Sequence, residues 1–353
     1  MIKFLIYIFN HSISAGYVPD KLKHARIIFL QKGNKSQYVI QNYRPISLLD
    51  VHGKILDKIL NNRLTRQLEL KGLTNDRQHG FRQGRGTHTA LALFHETITN
   101  NINNRQTTDI ILRDVEKAFD KVWHTGIKYK ILQIGLHTCF TKTLSDYLTD
   151  RTATIQIGDY TGPTFSLNSG VPQGACLSPT LYSFYTHDMP EPLPNTDYIA
   201  FADDITQITS GRYKYRDAAR NTEHAIQQID EFENKWKIKT NRSKFQIIPI
   251  SRRNTTDIYL NDNEILQYTN EGKILGLTFN RRGILPQVKI RTAVALNNLS
   301  KLHRFTSLNI NNKLKLYNAL IRSALIYPSV ILNIIAKSPM LKLQSVQNKA
   351  LKY

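Results

Sequence analysis

Short apolar runs in the middle of the chain predict strands that end beside acidic side chains. Residues 110–112 form one such run and predict a buried strand with Asp114 at its C-terminal end. Asp114 could instead cap the N-terminus of a following helix. That helix is predicted from Glu116 onward, and its apolar side would carry Phe119, Val122 and Trp123.

A second acidic site falls between two strand-like runs. Residues 198–202 and 205–209 predict a hairpin, with Asp203 and Asp204 at its turn. At a turn both carboxylates can face one site, where they repel each other unless a cation neutralises them. Oxygen ligands of this kind suit Mg²⁺, and a pair of such ions can activate a hydroxyl and stabilise a leaving oxygen. A plain Asx turn is the alternative interpretation.

Apolar residues near the C-terminus recur with helical spacing. The composition of the chain shifts near residues 270–285, which predicts the main domain boundary there. The helical pattern after the boundary predicts an apolar face with Leu296, Leu299, Leu302, Leu314, Tyr317, Leu320 and Ile321.

The first nine residues are mostly apolar but lack a clear cleavage site, which favours an N-terminal helix over a secretion signal.

Length and composition narrow the class of protein. A chain of 353 residues with 41% apolar residues has enough for a core, which excludes gross disorder, and its length suggests about two domains. Two cysteines, Cys139 and Cys176, exclude a disulfide scaffold and a cysteine-based zinc module, and favour a reducing compartment. No apolar run approaches the roughly 18 residues of a membrane span.

The charge is strongly basic and unevenly placed. Lys and Arg number 48 against 27 Asp and Glu, which gives a formal net charge of +21. No acidic residue follows Glu271, whereas 14 Lys and Arg do. A basic, amphipathic, acid-free segment predicts binding to a polyanion, with nucleic acid favoured over a membrane surface or a merely solvated face.

Eight motifs occur in order along almost the whole chain, and together they are far more specific than any one alone. They lie at 42–49 (NYRPISLL) with 53–56 (GKIL), 78–82 (QHGFR) with 86–87 (GT), 114–120 (DVEKAFD) with 122–124 (VWH), 169–174 (SGVPQG) with 177–179 (LSP), 201–204 (FADD), 241–244 (NRSK), 273–277 (KILGL) and 345–349 (SVQNK). In this order they resemble the reverse transcriptases of non-LTR retrotransposons, within these the jockey-like group of insects.

The resemblance implies an α+β, right-hand polymerase fold of fingers, palm and thumb, in which the palm is a small antiparallel sheet backed by helices. The expected organisation is an N-terminal helical extension at 1–31, fingers at 32–105, a palm with inserted fingers elements at 106–280, and a truncated, basic, helical thumb at 281–353.

The resemblance also implies the catalytic residues. Asp114, Asp203 and Asp204 would bind two Mg²⁺ ions, for which Mn²⁺ could substitute. One ion would lower the pKa of the primer 3′-hydroxyl and the other would hold the incoming triphosphate. Lys244 would donate a proton to the departing pyrophosphate, or would simply be a solvated surface lysine.

The nucleotide site follows from the same motifs. Phe119 would exclude the ribose 2′-hydroxyl and so favour dNTP, unless it is a core residue. Gln173 would contact the nucleotide or template, and Gly174 would allow close approach of the backbone. Basic side chains of the fingers would bind the triphosphate, namely Lys32, Arg44 and Arg82. Arg44 could instead only stabilise the fold.

The basic C-terminal segment would be the thumb, which grips the backbone of an RNA template paired with a DNA primer. We expect the duplex to be recognised by shape rather than by base edges. The basic residues assigned to this contact are Lys273, Lys289, Arg291, Lys301 and Arg304.

Four positions depart from the family pattern: Arg113, Phe245, Gln31 where a proline usually precedes the Lys, and Asn280 where an Asp is common. Arg113 replaces the usual apolar residue before the first catalytic Asp, where it is expected to face inward, pair with Asp114 and compete with metal. Phe245 stands where a small hydroxyl residue usually follows Lys244.

The leading hypothesis is therefore an RNA-directed DNA polymerase domain that uses dNTP. A catalytically inactive nucleic-acid-binding remnant is the main alternative, and an intron maturase a third. The chain is expected to be a truncated copy without the endonuclease of intact elements, with no membrane association and a nuclear or cytoplasmic location.

Overall fold

The computed structural model describes residues 2–33, 35–212, 215–250, 257–260, 264–302, 305, 307–329 and 337–352. Helices and strands are mixed along the chain. The chain separates into two compact units, each built from three stretches. Unit 1 comprises 1–81, 115–190 and 230–240, and unit 2 comprises 82–114, 191–229 and 241–353.

Unit 2 is centred on a four-stranded antiparallel sheet. Its strand order is β7–β8–β3–β9. The strands are β3 (Thr107–Asp114), β7 (Thr196–Phe201), β8 (Asp204–Gly211) and β9 (Gln246–Ile250). The strand predicted at 110–112 and the hairpin predicted around Asp203 are confirmed.

The two faces of this sheet pack against different elements. On one face, Ile110 and Ile208 join a core with α4 (Thr87–Asn103) and with the hairpin β12 (Glu271–Ile274) and β13 (Leu277–Asn280). On the other, Ile111 packs against the N-terminal part of α8 (Tyr215–Lys235). Burial of one isoleucine side chain stabilises the fold by roughly 1.5–3 kcal/mol relative to leaving that side chain in water. Successive residues of a strand point to opposite faces of the sheet, so Ile110 and Ile111 pack against different elements.

The C-terminal helices of unit 2 form a core of their own. Their elements are α9 (Leu285–Leu302), α10 (Ile310–Leu316), a π-helical turn (Tyr317–Arg322), α11 (Ser323–Ile326) and α12 (Lys337–Leu351). Of the predicted apolar face, Leu299, Leu302 and Ile321 are buried.

The predicted face is wrong at three leucines, which are exposed: Leu296, Leu314 and Leu320. Leu296 follows the buried Ala295 by one position, so it turns away from the core stripe. The π-helical turn that begins at Tyr317 holds more residues per turn than an α-helix. It therefore changes the side of the helix on which Leu314 and Leu320 lie relative to each other. A short hairpin, β10 (Ile258–Tyr259) with β11 (Ile265–Leu266), completes unit 2.

Unit 1 packs helices around a second sheet. The helices are α1 (Ile2–Ala15), α2 (Asp20–Lys23), α3 (Val51–Leu70), α5 (His124–Gln133), α6 (Thr138–Tyr147) and α7 (Leu177–Tyr185). The strand order is β2–β1–β4–β5, with β6 also paired to β4. The strands are β1 (Ala25–Gln31), β2 (Tyr43–Leu49), β4 (Arg151–Ile157), β5 (Tyr160–Thr161) and β6 (Phe165–Leu167).

Helix α3 shows why these segments are helical. Leu56, Leu60, Leu64 and Leu68 recur every four residues, which places them on one stripe, and all four are buried. The N-terminal helix expected from the sequence is α1. Across the described residues we find no helix whose length and apolar character would let it cross a membrane.

The helix predicted from Glu116 is wrong. Residues 116–121 form turns, and the next helix is α5, which begins at His124. Lys117 has a φ of 49°, in the left-handed region, and Glu116 donates its backbone N–H to the carbonyl of Lys239. The left-handed φ of Lys117 interrupts a right-handed helical path directly after its predicted start, so the segment forms turns. Asp114 ends a strand and does not cap a helix.

Candidate active site

Three carboxylates of unit 2 meet at one end of its sheet. Asp114 is the last residue of β3 and pairs in register with Asp204, the first residue of β8. Directly paired residues of antiparallel strands have Cβ atoms about 4.5–5.5 Å apart. Asp203 precedes Asp204 in a two-residue turn, where Ala202 has a φ of 58°. The sheet register therefore brings together the three acidic residues that the sequence predicted.

The carboxylates are electrostatically coupled. Desolvation by the surrounding protein, followed by the negative charges of Asp203 and Asp114, raises the pKa of Asp204 to about 6, although the residue is exposed. The positive charge of Lys244 acts in the opposite direction. Repulsion between like charges at this strand end is thus a feature of the fold.

Lys244 sits directly on the first carboxylate. The backbone N–H of Asn241 donates to the carbonyl of Asp114 at 2.8 Å, which fixes the start of a short 3₁₀ turn, Arg242–Lys244. From this turn the Lys244 Nζ reaches Asp114 Oδ2 at 2.5 Å. The structure therefore brings the predicted proton donor to the carboxylate site.

The donor set has the chemistry of a divalent cation site. Asp114, Asp203 and Asp204 supply hard carboxylate oxygens, and a cation between them would relieve the repulsion that raises the pKa of Asp204. Within the described part of the chain, no three His, Cys, Asp or Glu side chains are already grouped as a metal site. Lys244 supplies the neighbouring positive charge.

Arg113 does not face the carboxylates as expected from the sequence. Neighbouring strand residues point to opposite faces, so Arg113 lies on the α8 side of the sheet. Its guanidinium, in a side chain that is 2% exposed, donates to Gln207 Oε1 at 3.3 Å and to the carbonyl of Ile226 at 3.5 Å. The expectation that Arg113 pairs with Asp114 is wrong, because Asp114 pairs with Lys244.

The basic residues assigned to nucleic acid differ in their surroundings. Lys273, Lys289 and Lys301 are exposed, and Lys273 lines a small cleft with Asp204. Arg291 instead donates to the carbonyl of Gly276 at 3.3 Å and lies 4.8 Å from the ring centre of Tyr327. Arg304 lies outside the described residues.

In unit 1 the loop that carries Gln173 is tightly held. The backbone N–H of Ser47 donates to the carbonyl of Gln173 at 2.7 Å. Gly174 has a φ of 117°, and a Cβ there would lie 3.2 Å from the Ser47 carbonyl, so a larger residue would be strained. Among the described residues, the buried Gln173 Oε1 has no hydrogen-bond partner. The hydrogen-bonding capacity of this acceptor is therefore unsatisfied in the described structure.

Phe119 lies beside this loop. Its carbonyl accepts the backbone N–H of Val171 at 2.7 Å, and its half-buried ring packs against Tyr182 at 5.4 Å. Gly170 has a φ of 84°, and a Cβ there would lie 2.6 Å from the carbonyl of Asp120. The turn that replaces the predicted helix therefore brings Phe119 and the Gln173 loop together.

The three basic candidates for the triphosphate lie in different units. Lys32 in unit 1 donates from Nζ to the carbonyl of Gln41 at 2.9 Å, and its charge opposes the burial that raises the pKa of Asp120. Arg44 is exposed on β2, also in unit 1. Arg82 is half-buried in unit 2, the unit of the carboxylates.

Sequence reasoning missed a buried network that supports the Gln173 loop. Asp57 on α3 accepts the backbone N–H groups of Cys176 at 2.6 Å and Leu177 at 3.2 Å. It also accepts the hydroxyl of Tyr147 at 2.8 Å, and the ring of Tyr147 stacks 4.7 Å from the Arg151 guanidinium. The sequence carried one signal of this network, which is a carboxylate, Asp57, beside the row of leucines that α3 buries.

A sequence model of the family described as "Reverse transcriptase (RNA-dependent DNA polymerase)" matches residues 30–279. The chain belongs to the reverse transcriptase family. It is a reverse transcriptase domain of the kind found in non-LTR mobile elements, as its motifs predicted.

Two similar reverse transcriptases come from Drosophila melanogaster. The probable RNA-directed DNA polymerase from transposon X-element is 29% identical over 360 residues, which cover 99% of this chain and 39% of the relative. The RNA-directed DNA polymerase from mobile element jockey is 28% identical, with 99% of this chain and 40% of the relative covered. The chain thus spans about two fifths of the length of these relatives.

The fold agrees with that of a solved reverse transcriptase. The structure of apo telomerase from Candida tropicalis, truncated from its C-terminal domain, matches with a TM-score of 0.52 at 11% identity. The match covers 79% of this chain and 57% of that chain. The predicted α+β, right-hand polymerase fold is confirmed.

Proposed function

We propose that the chain is an RNA-directed DNA polymerase domain that extends a DNA primer along an RNA template with dNTP. The observation that supports this most strongly is the meeting of Asp114, Asp203 and Asp204 at one strand end, with Lys244 on Asp114. Family membership supplies the reaction class, and this site supplies the groups that the reaction needs.

The three carboxylates are the proposed ligands of two Mg²⁺ ions, with Mn²⁺ as a substitute. When bound, such ions supply electrostatic stabilisation of the reacting oxygens. The primer 3′-oxygen attacks the α-phosphorus of the dNTP, and the bond from this phosphorus to the bridging oxygen breaks. Lys244, as an ammonium group, gives a proton to the departing pyrophosphate, while the hydroxyl proton passes to solvent.

The other proposed contacts position the substrates. Phe119 blocks the space of a ribose 2′-hydroxyl, and the free acceptor of Gln173 takes a donor of the nucleotide or template. Gly174 lets the loop backbone approach closely. Basic side chains bind the triphosphate (Lys32, Arg44 and Arg82) and the template–primer backbone (Lys273, Lys289 and Lys301).

One observation favours a second candidate function, that of an inactive nucleic-acid-binding remnant. Lys273, Lys289 and Lys301 are exposed, and these side chains can bind a phosphate backbone whether or not the carboxylates catalyse a reaction. An inactive remnant would keep the basic helices and duplex binding, but it would not turn over.

Primer extension separates these functions. The purified chain is given an RNA template, a DNA primer, dNTP and Mg²⁺ or Mn²⁺, beside the double variant Asp203→Asn, Asp204→Asn. We expect extension by the wild-type chain alone, with equal duplex binding by both. Duplex binding without extension under either metal would support the remnant and overturn the polymerase.

A further inference from the structure

Two of the residues that depart from the family pattern, Arg113 and Phe245, contact each other. The Arg113 guanidinium lies 5.2 Å from the centre of the Phe245 ring, and Arg242 lies at the same distance from that ring. Arg113 and Phe245 are far apart in sequence and belong to different motifs. Their contact joins β3 to the segment that follows the Lys244 turn.

Phe245 is well placed to transmit this contact. It packs at the edge of the core on the α8 side of the sheet, and its backbone N–H donates to the carbonyl of Arg242 at 3.1 Å. Lys244 lies between these two residues in the same turn. The ring that contacts Arg113 therefore belongs to the residue directly after Lys244, at the end of the same turn.

Strand β3 thus holds the turn at both ends. At the start, the carbonyl of Asp114 accepts the backbone N–H of Asn241. At the finish, the side chain of the preceding strand residue, Arg113, lies against Phe245. Between these two anchors, Lys244 reaches back to the Asp114 carboxylate.

We propose that Arg113 is a positioning residue, which acts through the Phe245 ring to hold Lys244 on Asp114. Arg113 and Phe245 then act as a pair, in which the bulky Phe245 ring after Lys244 requires the Arg113 guanidinium before Asp114. Arg113 supports the site from the opposite face of the sheet. The inference rests on the proposed function for its catalytic consequence, but the geometric claim can be tested without turnover.

The first arm measures kcat for single-nucleotide incorporation. A cation–π contact contributes about 0.5–2 kcal/mol, so Arg113→Leu and Phe245→Leu should each lower kcat about tenfold. Phe245→Leu keeps an apolar side chain, and Phe245→Tyr, which keeps the ring, should restore kcat. Arg220→Leu removes an exposed arginine of α8 and should leave kcat unchanged.

A double-variant comparison separates positioning from a general structural role. In a Lys244→Ala background, Arg113→Leu should cause no further loss of kcat, because the group through which it acts is gone. The variant with both Arg113→Leu and Phe245→Leu should fall no further than either single variant. An equal loss from Arg113→Leu with and without Lys244 would overturn the proposal.

The second arm measures how fast an amine-reactive acylating reagent modifies Lys244, read by peptide mass spectrometry against Lys239. The two side chains are 62% and 71% exposed. Arg113→Leu should raise the relative rate at Lys244 about threefold or more, because its ion pair loosens by a fraction of the contact energy. An unchanged rate would overturn the proposal.

The two arms also distinguish this inference from the proposed function. Suppose that the wild-type chain does not extend a primer but Arg113→Leu still raises the rate at which the reagent modifies Lys244. The positioning role of Arg113 is then supported, and the polymerase function is overturned. If the wild-type chain is active and both arms show no effect of Arg113→Leu, the polymerase stands and positioning fails.

Discussion

The carboxyl of Asp204 is the most informative single group of the site. Its pKa lies near 6 instead of 3.8, because desolvation and two neighbouring carboxylates disfavour its charge. Between pH values equal to these two pKa values, the Asp204 carboxyl binds more protons in the folded chain than in the unfolded chain. Asp204 therefore makes the free energy of unfolding fall as pH rises through this window.

Replacement by asparagine tests this charge. In the presence of a chelator, Asp204→Asn should be more stable than the wild type at neutral pH, and the advantage should vanish as pH falls toward 4. Added Mg²⁺ should raise the melting temperature of the wild type more at neutral pH than at acidic pH, because protons compete for the same oxygens. A Mg²⁺ effect of equal size in Asp204→Asn would contradict this account.

A second perturbed group, Lys130, lies in unit 1. The side chain of Lys130 is 4% exposed, and its Nζ lies 3.6 Å from the ring centre of Trp236 and pairs with Asp188. Burial lowers its pKa from 10.5 to about 8, although Asp188 opposes the shift. Between these values the unfolded chain binds more protons, so this residue makes the free energy of unfolding rise with pH.

Lys130→Met should flatten the pH dependence of stability between about pH 8 and 10, where the wild type gains from loss of the buried charge. Denaturant unfolding at several pH values would measure this slope. Lys128→Met, on the same helix, is the matched control and should keep the wild-type slope. Parallel slopes for wild type and Lys130→Met would show that the buried ammonium does not titrate as described.

At the scale of elements, local patterns predicted strands better than helices. The strand at 110–112 and the hairpin around Asp203 depend on contiguous apolar runs, so their signal is local. The prediction of a helix from Glu116 failed because Lys117 adopts a left-handed φ, which a right-handed helix does not contain. The helical pattern around Leu314 and Leu320 failed because a π-helical turn changes the phase, which sequence spacing does not reveal.

The basic helices offer a prediction of their own. Lys289 and Lys301 are exposed on α9, so replacing each by alanine should weaken duplex binding with little change in melting temperature. Each lost phosphate contact should reduce the slope of log affinity against log salt by about 1.

Arg291 should behave differently, because its side chain is already committed to Gly276 and Tyr327. Arg291→Ala should lower the free energy of unfolding by about 1–3 kcal/mol. A thermal or denaturant melt of the three variants would separate these roles. A destabilised Lys289→Ala or a fully stable Arg291→Ala would reverse the assignment.

Over the whole molecule, what could be predicted depended on how far apart the cooperating residues lie. The carboxylates were readable because each sits in a short motif, and the net charge of +21 indicated a polyanionic partner. The network of Asp57, Tyr147 and Arg151, and the contact of Arg113 with Phe245, join residues from separate motifs. Their pairing follows from tertiary packing, which no single segment encodes.

We propose that Asp114, Asp203 and Asp204 together carry metal-dependent nucleotide transfer. The most direct measurement is the rate of single-nucleotide incorporation as Mg²⁺ is raised, for the wild type and for each carboxylate changed singly to asparagine. Asp197→Asn, on the first strand of the same hairpin, is the matched control.

We predict a saturable Mg²⁺ dependence for the wild type and for Asp197→Asn. Each of the other three variants should lose at least about 10²-fold in rate, as expected when a group that stabilises developing charge is removed. Wild-type rates in any of the three, or extension that continues without a divalent ion, would contradict the account.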